Sequence, residues 1–365
     1  MSAETSPTDR AARRTATGSA AVAVATGGGV AGTAKRNGLA PHVGPYLADY
    51  ADFARGRPGT DSESIRQLRQ SAIEHFAKHG FPSVTLEEWR FTNVETLEET
   101  EFRLADGDPS GVTADDVEPY LFDGAHHLVF VDGRYAPELS RLGDVPDGLT
   151  VGSLAHALAV APDVVDEHIG RHADFAGQPF VALNTAFIAD GGYVHVGRRV
   201  ETILPVHFLH VSTESEPRTA SYPRNLVIAE ESAAVTVVET YVGWGEYFSC
   251  AVTEVFAGPN AVVDHYKVQE ESTAAYHMAM LQLDQDRDST FASHSVSSGG
   301  RLVRYDANAY LGAEGVSSTL NGLYLARGTQ HVDNHMWVEH AKPHGYSHEL
   351  YKGILEGKGR AVFTG

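Results

Sequence analysis

From Pro179 to the end of the chain no helical period is sustained, and short strand-like runs follow one another with turn residues between them. The runs "YVHVG", "LPVHFLHVST", "NLVIAEESAAVTVVETYVG", "CAVTEVFAGPNAVVDHYKVQ", "SVSSGGRLVRYDANAYLGAEG" and "STLNGLYLARGTQHVDNHMWVEH" are rich in Val, Tyr, Thr and Leu and are punctuated by Gly, Asn and Asp. Two all-β architectures compete for this pattern. A sandwich or barrel marks its paired runs with Asn-Gly or Asp-Gly hairpin turns, but Asn321-Gly322 lies inside an apolar run rather than between two. A solenoid of stacked coils asks instead for irregular turns and small corner residues, which the 36 glycines supply. The expectation is a mainly β chain with a β-helix core over 181–365.

Upstream the period changes. "VGPYLADYADFARGRPG" and "SESIRQLRQSAIEHFAKHGFPS" carry apolar residues at spacings of three and four, which predicts two amphipathic helices, the second burying Ile65, Leu68, Ile73 and Phe76. Gly80 ends that helix and Pro82 prevents its resumption. Residues 39–125 therefore read as an N-terminal helical region. Residues 126–180 mix a short strand, turns and helical pieces, and read as a connecting subdomain. The Ala/Gly/Thr/Ser-rich segment 1–38 reads as a disordered tail rather than an export signal, despite Arg13-Arg14, because its apolar stretch is feeble.

Composition narrows the function classes. The chain carries 28 basic against 48 acidic residues, a net charge of −20, which argues against nucleic acid because phosphate recognition needs clustered Lys and Arg. No run reaches the roughly 18 to 20 apolar residues that cross a bilayer. One cysteine, Cys250, precludes an intrachain disulfide and points to a reducing, cytoplasmic setting.

Few residues suggest chemistry. In "HVDNHMWVEH" the two-residue strand period puts His331, Asp333 and His335 on one face, with His340 beyond, and two imidazoles with a carboxylate could hold zinc or ferrous iron. An alternating polar face is also what an ordinary solvent-facing strand looks like, and that reading is preferred. No GxSxG elbow or phosphate loop occurs. The pairs Glu87-Glu88, Glu230-Glu231 and Glu270-Glu271 cannot cooperate simply as acid and base, since strand neighbours face opposite ways. Cys250 reads as a buried structural thiol, and Trp89, Trp244 and Trp337 read as packing residues. No residue is assigned a catalytic, cofactor-binding or metal-binding role, and the inventory favours a scaffold over a self-contained enzyme.

Ordered blocks then carry a resemblance. "LEEWRFTNV" at 86–94, "LNTAF" at 183, "PRNLVIAEESAAVTVVETYVG" from 223, "DHYKVQEES" from 264, "GGRLVRYD" from 299 and the segment from His331 to Gly365 together resemble the SufD family. The resemblance implies a right-handed parallel β-helix core and a non-catalytic subunit of iron–sulfur cluster assembly acting with SufB-like and SufC-like partners. It implies no cofactor held by this chain alone, a cluster being expected only at the level of the complex. In the family the chain continues through further coils, a Cys-Ser-His-Gly stretch and a helical end domain, so a chain truncated within its β-helix is the expectation here. Asp333, His340, Ser347 and Lys352 match motif positions, for which structural or interface roles are expected, Lys352 neutralising either a partner surface or a buried carboxylate. Gly345 stands where a number of relatives carry Cys. The alternative reading is a metal-dependent or sugar-processing β-helix enzyme using His331, Asp333 and His335.

Overall fold

The computed structural model describes residues 39–57, 61–171, 173–214 and 218–365, and the tail expected over 1–38 lies outside them. Two principal helices come first, Gly44–Arg55 and Glu63–His79. The second is capped by Ser62, whose hydroxyl accepts from the Ile65 amide, and it stops at Gly80 with φ 67°. Its inward stripe is Ile65, Arg69, Ala72, Ile73 and Phe76. Arg69 is buried because Asp61, itself buried, accepts from it at 2.6 Å.

Strands follow in the order β1 (Arg103–Leu104), β2 (His126–Val131), β3 (Arg134–Tyr135), β4 (Leu149–Ser153), β5 (Gly192–Val196), β6 (Val206–Ser212), β7 (Thr219–Ser221), β8 (Arg224–Ala229) and β9 (Ala234–Gly243). They continue as β10 (Phe248–Ala257), β11 (Val262–Gln269), β12 (Tyr276–Gln285), β13 (Thr290–Ser297), β14 (Leu302–Leu311), β15 (Ser317–Ala326), β16 (His331–His340), β17 (Tyr346–Leu355) and β18 (Arg360–Thr364). Short helices at Leu154–Val160, Pro162–His168 and Pro179–Ala186 interrupt them.

One sheet runs β18-β16-β14-β12-β10-β8-β5-β4 and the other β17-β15-β13-β11-β9-β6-β2-β3. From β8 onward the chain changes sheet at every turn, and each strand pairs in parallel with the strand one coil away. This is a parallel β-solenoid. From β8 onward neighbours in a sheet are thus never neighbours in sequence, which is why this part of the core carries no hairpin signal. The antiparallel pairs are β2–β3 and β4–β5. Asp132 (φ 49°) and Gly133 (φ 80°) make the two-residue turn between β2 and β3, the left-handed pair that such a hairpin requires. Residues 126–180 supply β2 to β4, so this segment already belongs to both sheets.

Between the sheets lies a lumen filled by Val235, Val237, Val255, Leu281, Leu283, Phe291, Leu311 and Leu320, among others. A second core joins the helical region to the outer face of the first sheet, where Tyr46, Phe76, Trp89, Phe180 and Phe187 pack with Phe248, Tyr276 and Met278. Burial of each such side chain is worth about 1.5 to 3 kcal/mol, so the cover is bound strongly. Gly322 and Gly353 on β15 and β17 show how the last coils fit: each lies directly opposite a tyrosine, Tyr351 and Tyr324 respectively, and a Cβ on either glycine would fall 2.1 Å from a ring carbon.

Candidate functional site

The "LEEWRFTNV" motif forms a short turn of helix at Glu87–Trp89 that lies on β14 and β16. Arg304 of β14 is the centre of the joint. Its guanidinium lies 3.8 Å from the centroid of the Trp89 ring, donates to the Glu88 carbonyl at 2.7 Å, and pairs with Asp333 at 2.9 Å and Asp306 at 2.8 Å. Asp333 also accepts from the Thr92 hydroxyl and lies 3.2 Å from His335 Nε2. Because Thr92 gives its proton to Asp333, His331 Nε2 must donate to Thr92 Oγ1, at 3.0 Å. Burial pushes the Asp333 carboxyl up, but His335, Arg304 and Thr92 together hold it below the usual carboxylate range.

Two further joints tie the cover to the same outer face. Arg224 and Glu254, both fully buried, pair at 2.6 Å. Glu254 also accepts from the Gly170 and Ala173 amides, while Arg224 donates to Asn184 Oδ1 on the helix Pro179–Ala186. Asp49 of the first helix accepts from Arg103 Nε at 2.8 Å and from the Leu104 amide at 2.6 Å, fixing β1 beside β7.

Inside the lumen a second set of charges is assembled from the strands themselves. Glu239 accepts from Tyr241 and Thr253, each at 2.7 Å, and lies 3.2 Å from His265 Nε2, whose other nitrogen meets Ser293 Oγ at 2.9 Å. Burial would raise the Glu239 carboxyl, yet these partners hold it at about 2. Lys267 donates to His277 Nε2 at 2.9 Å and sits 4.4 Å from the Tyr241 ring centroid. His277 Nδ1 lies 2.8 Å from Glu271, which also accepts from Gln269. Desolvation pulls the Lys267 amine down to about 8. Such an array can hold protons and orient charge: Glu239 and Glu271 each face hydrogen-bond donors, and Lys267 faces an imidazole nitrogen and the Tyr241 and Tyr305 rings.

The placement of residues singled out from sequence is mixed. His331, Asp333 and His335 do share one face of β16 and do converge, but on a guanidinium and a hydroxyl: Arg304 and Thr92 occupy the carboxylate that a metal would need. Among the described residues no three His, Cys, Asp or Glu side chains are placed to share a metal ion. His340 meets Ser347 at 3.0 Å across the turn from β16 to β17. Lys352 is exposed on β17, the last full-length strand. Cys250 is buried, its thiol donating to the Phe180 carbonyl at 3.3 Å, and burial raises it well above an ordinary thiol. The packing role holds for Trp89 but not for Trp244 and Trp337, which are 42% and 68% exposed; Trp337 alternates outward on β16. Of the paired carboxylates, Glu230 and Glu231 go to His195 and Arg198, and Glu271 turns inward while Glu270 faces solvent.

Sequence reading missed the lumenal set for a definite reason. In "VVDHYKVQ" the apolar Val262 and Tyr266 are exposed whereas His265, Lys267 and Gln269 are buried, the reverse of the usual alternation. The available signal was the same period read the other way, with His265, Lys267 and Gln269 on one face, as are Glu239 and Tyr241 on the strand before.

What this defines is a helix-covered parallel β-solenoid whose buried charges hold cover and coils together. Residues 46–207 match the SufBD protein N-terminal region, and residues 210–365 match the SufBD core domain of SUF system FeS cluster assembly. The chain belongs to the SufBD family. It is similar to an iron–sulfur cluster assembly SufBD family protein of Synechocystis, 28% identical over 84% of this chain and 70% of the relative. It is likewise similar to the iron–sulfur cluster assembly protein SufD of Escherichia coli, 28% identical over 81% and 68%, and to the chloroplastic protein ABCI7 of Arabidopsis thaliana, 25% identical over 87% and 68%. No helix among the described residues is long and apolar enough to cross a membrane.

Proposed function

We propose that the chain is a scaffold subunit of Suf iron–sulfur cluster assembly, non-catalytic itself and acting in the cytoplasm with SufB-like and SufC-like proteins. The observation that carries this reading is the match of both family regions, in order, over a covered β-solenoid. The cluster is cargo, handled where subunits meet rather than held by this chain alone. The outward face of β16 supports this: its one buried carboxylate, Asp333, is committed to Arg304 and Thr92, leaving no ligand set of its own there.

Affinity purification of the full chain from cells that also express its SufB-like and SufC-like counterparts tests the reading. Recovery of both partners in fixed ratio, with the separated chain retaining less than stoichiometric iron or zinc, is the expected result. Stoichiometric metal in the isolated chain that disappears on His335→Ala would sink it in favour of a metalloenzyme.

A further inference from the structure

We infer that the groove where the "LEEWRFTNV" motif meets the starts of β14, β16 and β18 is a binding site for a phosphate-bearing small molecule. The groove has a volume of about 330 Å³ and is lined by Arg90, Phe91, Arg301, Thr329, His331 and Arg360, among others. That size lies within the range of small-molecule sites. Its cations come from two sources, Arg90 from the motif and the others from the coils.

The solenoid itself stacks these groups. His331 and Arg360 are in-register partners on β16 and β18, about 4.8 Å apart and on the same face, and Arg301 immediately precedes Leu302, the β14 partner of His331. Three consecutive rungs thus place two guanidiniums and an imidazole, which burial keeps neutral, at one corner of a protein whose net charge is −20.

These arginines make only long contacts elsewhere, Arg90 lying 5.5 Å from the Phe91 ring centroid and Arg301 5.6 Å from that of Tyr276. The nearest carboxylate to Arg90 is 4.0 Å away on Glu87, and Arg301 lies 3.9 Å from Glu246. Arg360 has no ion-pair partner among the described residues. Arg224 and Arg304, by contrast, each hold a carboxylate within 2.9 Å. The lining sets three guanidiniums among apolar groups such as Val84 and Leu302, and several forked donors around one hollow suit the multiple acceptor oxygens of a phosphate. Phe91, 62% exposed at the rim, adds a flat apolar surface beside the cations.

Calorimetric titration of the full chain with inorganic pyrophosphate at low ionic strength tests this assignment. Saturable one-site binding is expected, weakened about tenfold by Arg360→Gln and by Arg301→Gln, the cost of one charge-assisted contact each. Arg198→Gln, which removes an exposed arginine engaged by Glu231 at 2.9 Å, should leave binding unchanged. Thermal melts of the three variants verify that each is folded, and Arg301, half exposed, serves if the Arg360 variant is not. ADP binding more tightly than pyrophosphate, with the advantage lost in Phe91→Ala, identifies a ring-bearing phosphate; equal affinities identify an inorganic one. Absence of saturable binding, equal weakening by Arg198→Gln, or capture of a glutamate-rich peptide but not of pyrophosphate would overturn the site.

Discussion

Charge is buried in two places in this protein, and they are built on opposite plans. On the outer face of the first sheet, Arg224 with Glu254 and Arg304 with Asp333 pair one strand's guanidinium with a carboxylate that also receives donors from the cover, namely the Gly170 and Ala173 amides and the Thr92 hydroxyl. In the lumen, Glu239, His265, Lys267, Glu271 and His277 come from neighbouring coils and lean on neutral partners such as Thr253, Tyr241, Ser293 and Gln269. The first plan locks one part of the chain onto another, so deleting one member strands a full charge. The second surrounds each carboxylate with several donors, and the loss of one is shared.

The largest expected effect is therefore on the outer face. Glu254→Ala leaves the Arg224 guanidinium buried without its carboxylate and frees two backbone amides, which should cost about 3 to 5 kcal/mol in chemical denaturation. Arg304→Ala comes next, at about 3 kcal/mol. Beyond its cost in stability, limited proteolysis should now cut within residues 84–96, where the motif loses its hold. Glu239→Gln, the lumenal counterpart, should cost only about 1 to 2 kcal/mol, because one of the two hydroxyls, Tyr241 or Thr253, can still donate to the amide oxygen while the other turns to accept from the amide nitrogen. A cost for Glu239→Gln equal to that of Glu254→Ala would erase the distinction.

Acid separates the regions further. Desolvation pulls His207, on the covered face of β6, down to about 3, and His210, in the lumen, down to about 4. Both are buried neutral, so below the ordinary value of 6.5 the unfolded chain binds protons that the folded chain does not, and stability falls as pH drops toward 4. Above pH 6.5 these groups contribute no pH dependence. The geometry around His207 shows why its proton is refused. His127 Nε2 donates to the Phe122 carbonyl, so its Nδ1 accepts from His207 Nδ1 at 2.9 Å, and His207 Nε2 accepts from Thr240. Each imidazole should cost about 2 kcal/mol between pH 7 and pH 5, and His207→Gln should remove its share while leaving that of His210. Smallest of all, Trp337→Ala should shift stability by less than about 0.5 kcal/mol, as its side chain is largely in solvent.

The helices and the β-solenoid were legible because they rest on local rules. A period of three and four residues up to His79, the Gly80 stop, and strand-rich runs with no hairpin turn between consecutive core strands specify the elements and point away from paired hairpins as the main plan. The outer joint was half legible: the shared face of His331, Asp333 and His335 is a consequence of strand period, but the guanidinium that claims Asp333 stands one coil earlier and the hydroxyl stands in the helical region. The lumenal charges were illegible as a set, since on β11 polar residues point in and Val262 and Tyr266 point out.

By itself the sequence determined that this chain has a helical beginning and a coiled β body, because backbone propensity, capping and alternation act between residues close along the chain. Which charges meet was decided only by the tertiary structure. Parallel stacking places a residue beside one a whole coil away, and the cover reaches across the sheet to groups more than two hundred positions distant, as Thr92 does to Asp333. Electrostatic partnership depends on separation in space and on local desolvation, and neither is encoded in spacing along the chain.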